Sequence, residues 1–195
     1  MGRIYARWEL IAAVWLAVLI LSALAATAAF RWRRSRSHPA PLRDSVAEAA
    51  LFVGTLPWLV LMVWPTVDAT RVELVPLRDL AAQLGDDPIA AAIQITANLV
   101  VFAPLGFFGP IRWPALRSWP RLALLGFGGA ALVELTQFGL RLGRVSSVDD
   151  VLLNGGGMVL AAVLSRRWWA SRPAGSDRSG AGRNRRHPAR SAPLG

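Results

Sequence analysis

Apolar residues gather along this chain in five runs: Trp8 to Phe30, Val46 to Val67, Ile89 to Phe108, Leu122 to Leu140 and Val148 to Leu164. Each falls in the range of about 17–25 residues that carries a helix across a bilayer. The polar stretches between them are short, and most of the charge is confined to them. The pattern predicts an all-α, polytopic membrane helix bundle of about five transmembrane helices. Pro57 falls inside the second run. Pro104 falls inside the third, where it is expected to kink the helix, since it lacks the N–H that a carbonyl one turn back needs.

Charge sets the orientation. Arg31, Arg33, Arg34 and Arg36 follow the first run, Arg112, Arg117 and Arg121 lie between the third and fourth, and Arg166 and Arg167 follow the fifth. The stretch from Asp68 to Pro88 sets Arg71 and Arg78 against Asp68, Glu73, Asp79, Asp86 and Asp87. Basic loops stay cytoplasmic, so the N-terminus is expected outside, the C-terminus inside, and the protein multi-pass in the cell membrane. A cleaved signal peptide is the competing reading of the first run: Arg3 and Arg7 lead it, and Ala26-Thr27-Ala28 has the look of a cleavage site. The arginines just beyond favour an uncleaved helix. The expected organisation is a first helix and basic loop over 1–45, a four-helix membrane domain over 46–169, and an Arg-rich disordered cytoplasmic tail over 170–195. Between the second and third runs, Val72 to Leu80 is apolar yet too short to span. It is expected at the outer membrane surface or folded back on the bundle.

Composition narrows the chemistry. All 22 basic residues are arginine and cysteine is absent. Lysine amines, thiolates and disulfides are thereby excluded. His38 and His187 lie in polar segments, which removes imidazole chemistry from the bundle. The net charge of +10 is no sign of nucleic-acid binding, because the arginines flank apolar spans. Neither a cofactor nor a metal is implied.

The informative polar residues are those a membrane span should avoid, at roughly 2.5–3.5 kcal/mol for each charge placed mid-helix. Asn98 lies in the third span, Glu134 and Gln137 in the fourth, and Asn154 in the fifth. With 1.5 Å of rise per residue, Asn98, Glu134 and Asn154 come to similar depth in the outer half of the bilayer. Arg141, Arg144, Asp149 and Asp150 then stand at the mouth of the pocket, with Arg71 and Arg78 of the 68–88 loop above. Each has a plain structural alternative. Ser146 and Ser147 precede Asp149 and Asp150 by three residues, a helix-capping pattern; Glu134 can pair with Arg141 or Arg144; Asn98 can join helices. Gly126, Gly128 and Gly129 in the fourth span, and Gly155 to Gly157 in the fifth, give narrow faces. Lateral access for an acyl chain between these two spans is one expectation.

These residues also carry a resemblance. Asn98-Leu-Val-Val-Phe102-Ala-Pro104-Leu-Gly106 resembles an NxxxFxPxG element of VanZ-like membrane proteins. Glu134-Leu-Thr-Gln137, Arg144 and Asp149-Asp150-Val-Leu-Leu-Asn154 with the glycines after it resemble that family's second signature. Glu73-Leu-Val-Pro76-Leu-Arg78 resembles its outer NLIPF-like segment, with Glu73 where Asn is usual and Leu77 where an aromatic is usual. The likeness covers about residues 70 to 165. It implies an association with low-level resistance to teicoplanin, a glycopeptide that binds cell-wall precursors outside the membrane.

Three functions compete. The first is a binding protein of the cell envelope, holding a membrane lipid, a lipid-linked cell-wall precursor or a glycopeptide antibiotic. Its contacts would be Asn98, Glu134, Gln137, Arg144, Asp149, Asp150, Asn154, Arg71 and Arg78, with the arginines gripping an anionic group. The second is an enzyme acting on such a lipid through Glu134, Asp149 or Asp150, which lacks any recognisable nucleophile motif. The third, a proton-coupled transporter with Glu134 as relay, suffers from the absence of an inverted repeat. The balance favours the binding protein.

Overall fold

The structure is a computed structural model that describes residues 2–66 and 70–169; the expected tail over 170–195 lies outside them. Seven α-helices fill the described chain: α1 (Gly2–Ser35), α2 (Pro41–Met62), α3 (Arg78–Asp86), α4 (Pro88–Val101), α5 (Ala103–Arg112), α6 (Trp119–Gly139) and α7 (Val148–Ser165). Two short strands, β1 (Arg71–Glu73) and β2 (Val145–Ser147), complete it with two single 3-10 turns at 114–116 and 166–168. Five helices are long and apolar enough to cross a membrane, with α4 and α5 together making one of them. The protein is an all-α, multi-pass membrane bundle.

The burial pattern is that of a protein solvated by lipid. Leu124, Leu164, Leu135, Leu132 and Leu160 point outward at 58–76% exposure. Small residues pack inside, among them Ala130, Ala162 and Gly157. α7 is the hub, packed against α4, α5 and α6, while α1 leans chiefly on α2. Where water cannot drive helices together, close backbone approach has to hold them, and glycine makes it possible. A Cβ on Gly157 would lie 2.0 Å from the Leu99 carbonyl of α4, and one on Gly106 would lie 2.0 Å from the Met158 carbonyl of α7.

Three expectations change. The third span is broken rather than kinked: α4 ends at Val101, Phe102 lies between, and α5 begins at Ala103 with Pro104 in its first turn. Proline suits that position because its missing N–H is one the helix start does not use. The basic loop expected over 31–45 shrinks to a turn around Ser37, which takes φ 52°. Arg31 to Ser35 continue α1, and Pro41 opens α2. The 68–88 stretch is ordered over its described part as β1 and α3. β1 pairs in parallel with β2, Arg71 opposite Val145 and Glu73 opposite Ser147, which lays the segment back on the bundle.

The basic end of the bundle holds an ion-pair network that the sequence did not announce. Arg33 of α1 donates to Ser45 and to both carboxylate oxygens of Glu48, each at 2.7 Å. Arg112 of α5 donates to the same Glu48 at 2.5 Å and lies 3.8 Å from Asp44. Glu48 thus ties three helices together.

Candidate functional site

At the opposite end, the N-terminal turn of α7 gathers polar groups from four directions. Ser147 caps the helix, its hydroxyl accepting from the Asp150 N–H at 3.1 Å. Capping fixes the first turn, and with it the directions of Asp149, Asp150 and, one turn deeper, Asn154. Asp149 points to the 78–86 segment. Its carboxylate accepts from the Leu77 N–H at 2.5 Å and the Leu80 N–H at 3.2 Å, so it caps α3 rather than its own helix. Leu77 adopts φ 64° to make this cap. Asp150 accepts from the Asn98 side-chain amide of α4. Asn154 donates back to the Asp150 carbonyl at 2.8 Å.

Glu134 reaches this turn from α6. It is 7% exposed, and Asp150 and Arg144 are the charged groups that face it. The Ser146 side chain and the Ser147 backbone N–H lie beside its carboxyl group. The Ser146 hydroxyl also donates to the Glu134 carbonyl at 3.1 Å. Asn98, Glu134 and Asn154 therefore do meet, around Asp150, as their depths predict. Asn98 sits level with the first turn of α7, so the start of α4 rises beyond it. Asn154 is 1% exposed.

The other expected residues separate from this cluster. Gln137 donates to the Met62 carbonyl at 2.9 Å, closing the C-terminal end of α2 rather than meeting Arg141. Arg141 is exposed, with φ 51° in the turn after α6. Arg71 is exposed on β1, and Arg78, its side chain 70% exposed, lies 3.9 Å from Glu73. The four-arginine grip on an anion is not assembled: Arg144 is the arginine at Glu134. Lateral access between α6 and α7 is closed as well. Gly126 lies against Met158, and a Cβ on Gly155 would lie 2.2 Å from the Phe127 ring, so these faces are filled.

The VanZ/LLP1 family profile matches residues 8–169, most of the chain. The protein belongs to the VanZ/LLP1 family. Nothing among curated proteins or solved structures matches it. In this VanZ/LLP1 chain the two signatures have a shared physical meaning. Asn98 and Asp150 join α4 to α7 at the polar end, Gly157 lets the same two helices touch below it, and Gly106 brings α5 onto α7. Sequence reasoning missed the parts played by Ser146, Thr66 and Thr70. Thr66 donates from its backbone to the Leu142 carbonyl at 2.7 Å, and Thr70 accepts from the Gly143 N–H at 3.2 Å, which fastens each of these two residues to the α6–β2 turn. Ser and Thr beside a turn carry no signal of a partner more than seventy residues away.

Proposed function

We propose that this VanZ/LLP1 protein binds, in the outer half of the cell membrane, the polar head of a membrane lipid or a lipid-linked cell-wall precursor. The observation that carries the reading is the convergence of α4, α6 and α7 on one buried polar cluster beneath a docked segment. Structural glue needs one amide or one ion pair between two helices; this cluster sets Asn98, Glu134, Arg144, Asp150 and Asn154 at one place. Burial of several ionisable groups in a membrane is costly enough to call for a functional role. β1 pairs with β2 and the start of α3 is tied to Asp149, next in sequence to Asp150 of the cluster, and the proposed route of access is the lifting of that segment. A teicoplanin-type glycopeptide, whose targets lie outside the membrane, fits the same outward site.

The enzymatic alternative loses one of its three carboxylates, because Asp149 is already committed to two backbone N–H groups. Native mass spectrometry of the purified protein is the test. A co-purifying lipid or precursor should be retained by the wild type and lost in Glu134→Gln and Asn154→Ala, both still inserted in the membrane. Normal retention in both variants places the site elsewhere.

A further inference from the structure

The segment between β1 and the third span turns its apolar side chains outward. Leu74 is 72% exposed, Val75 50%, Leu77 61% and Leu84 45%. In α3, Leu80, Ala81 and Leu84 fall on one stripe at helical spacing, with Arg78 at its edge and Asp86 opposite. Leu80 is half-buried, whereas Ala81 and Leu84 are exposed, so the bundle covers only part of that stripe. The backbone is pinned at both ends. Asp149 accepts from the Leu77 and Leu80 N–H groups, β1 pairs with β2, and Asp87 caps α4 by accepting from the Ile89 and Ala90 N–H groups at 3.1 and 3.0 Å. These anchors also set the level of α3. Asp149 belongs to the first turn of α7, and Asp87 immediately precedes α4. The helix therefore lies where two spans begin, at the boundary of membrane and water. Just beyond Asp87 the lipid-facing surface opens, with Ile89 74% and Ile93 65% exposed. Both line an open apolar groove shared with Trp58, Ala92 and Val100.

We infer that residues 74–84 form an interfacial lip, with Leu74, Val75, Leu77 and Leu84 seated in the lipid of the leaflet where α4 and α7 begin. An amphipathic helix at that level lays its apolar face into the boundary between head groups and acyl chains. The apolar face of the segment then continues the lipid-facing surface of the third span instead of meeting water. Charge takes no part in the seating. Over 71–87, Arg71 and Arg78 stand against Glu73, Asp79, Asp86 and Asp87, so an anionic surface offers no net attraction. The partner is the bilayer itself, zwitterionic or anionic. The inference concerns the outward side of the segment and stands independently of the head-group reading.

The chain has no cysteine, so a single introduced one can carry a nitroxide. The full-length protein is spin-labelled at Leu74→Cys, Leu84→Cys, Ile93→Cys or Ala82→Cys and reconstituted in phosphatidylcholine vesicles. Ile93 is the lipid-facing reference; Ala82, exposed on the side of α3 away from the stripe, is the water-facing one. Each label's collisions with oxygen, which gathers in lipid, are compared with its collisions with a neutral nickel chelate, which stays in water. The oxygen-to-nickel ratio at Leu74 and Leu84 should exceed that at Ala82 about threefold or more and approach that at Ile93. Adding phosphatidylglycerol should leave it unchanged. The two test sites lie on separate stretches, so one substitution that disturbs the segment leaves the other to decide. Ratios equal to that at Ala82 put the face in water and overturn the inference. Few collisions with either reagent mean that a second copy or another protein covers the face, which also overturns it. A ratio that rises only with phosphatidylglycerol assigns the contact to charge and overturns the apolar seating. None of these outcomes changes ligand retention in native mass spectrometry, so failure here leaves the head-group reading intact.

Discussion

Three consecutive glycines in α7 should respond very differently to the same added methyl group. A Cβ at Gly157 would lie 2.0 Å from the Leu99 carbonyl oxygen and 2.8 Å from the Leu99 Cα, both backbone atoms of a neighbouring span. Real Cβ contacts essentially never fall below 3.0 Å, so α4 and α7 must part by at least about 1 Å, and no rotamer relieves the clash. At Gly155 the obstacle is the Phe127 ring at 2.2 Å, a half-exposed side chain that can swing aside. At Gly156 nothing lies within 4 Å.

Overpacking costs about 1–3 kcal/mol. Gly157→Ala belongs at the upper end or beyond, because backbone meets backbone. Gly155→Ala belongs near 1 kcal/mol. Gly156→Ala relieves the entropy of a helical glycine and is expected neutral or stabilising by up to about 1 kcal/mol. A loss of 3 kcal/mol lowers the folded-to-unfolded ratio roughly 150-fold. Tryptophan fluorescence during unfolding by SDS in mixed micelles reads the series directly. Equal midpoints for Gly156→Ala and Gly157→Ala would refute the claim that backbone contact between α4 and α7 holds this end of the bundle.

Other substitutions test the remaining joints. Asp149→Ala leaves the N–H groups of Leu77 and Leu80 without their acceptor, should cost about 1 kcal/mol as a lost cap, and should speed hydrogen exchange across 74–86; unchanged exchange refutes the cap. Gln137→Ala strips the Met62 carbonyl of its buried donor and should lower stability by about 1–3 kcal/mol, whereas an unshifted unfolding midpoint would make the bond incidental. Glu48→Gln leaves Arg33 and Arg112 without their shared carboxylate. The cost is about 1–3 kcal/mol, below that of a fully buried pair because all three groups keep some exposure. The unfolding midpoint of Glu48→Gln in SDS should fall accordingly, and an unchanged midpoint would refute the tie.

The five spans were legible because lipid imposes long uncharged runs, and hydropathy sees those directly. Their ends were less so. Arg31, Arg33 and Arg34 are charged yet are good helix formers, so α1 runs on past its apolar run, and Pro41 starts α2 before the next apolar run begins. The depth of Asn98, Glu134 and Asn154 was legible from helical rise alone. Asp150, which Asn98 and Asn154 both bond, was set at the mouth because it stands at the very start of the fifth span. The parallel pairing of β1 with β2 was beyond reach, since three residues leave no period to read and their partner lies more than seventy positions away. The four arginines were grouped by their place in the sequence, which does not say which way each turn faces: Arg71, Arg78 and Arg141 lie exposed, and Arg144 faces Glu134.

The two ends of the bundle put that distinction to use. At the basic end, Glu48 lies between Arg33 and Arg112, Asp44 lies near Arg112, and Arg43 donates to the Ile111 carbonyl at 2.8 Å. Cations there match carboxylates closely, and the network serves to join α1, α2 and α5. At the other end Asp149 is satisfied by backbone alone, while Glu134 and Asn154 each keep an acceptor unpaired. A purely structural site has no reason to retain that deficit: Glu134→Gln would remove a buried carboxylate at almost no change in volume. If the cluster only held helices together, Glu134→Gln should therefore stabilise the protein; if it awaits a ligand, the same change should leave stability level or higher and abolish binding. Stability gained at the expense of binding is the pattern that separates a binding site from a joint.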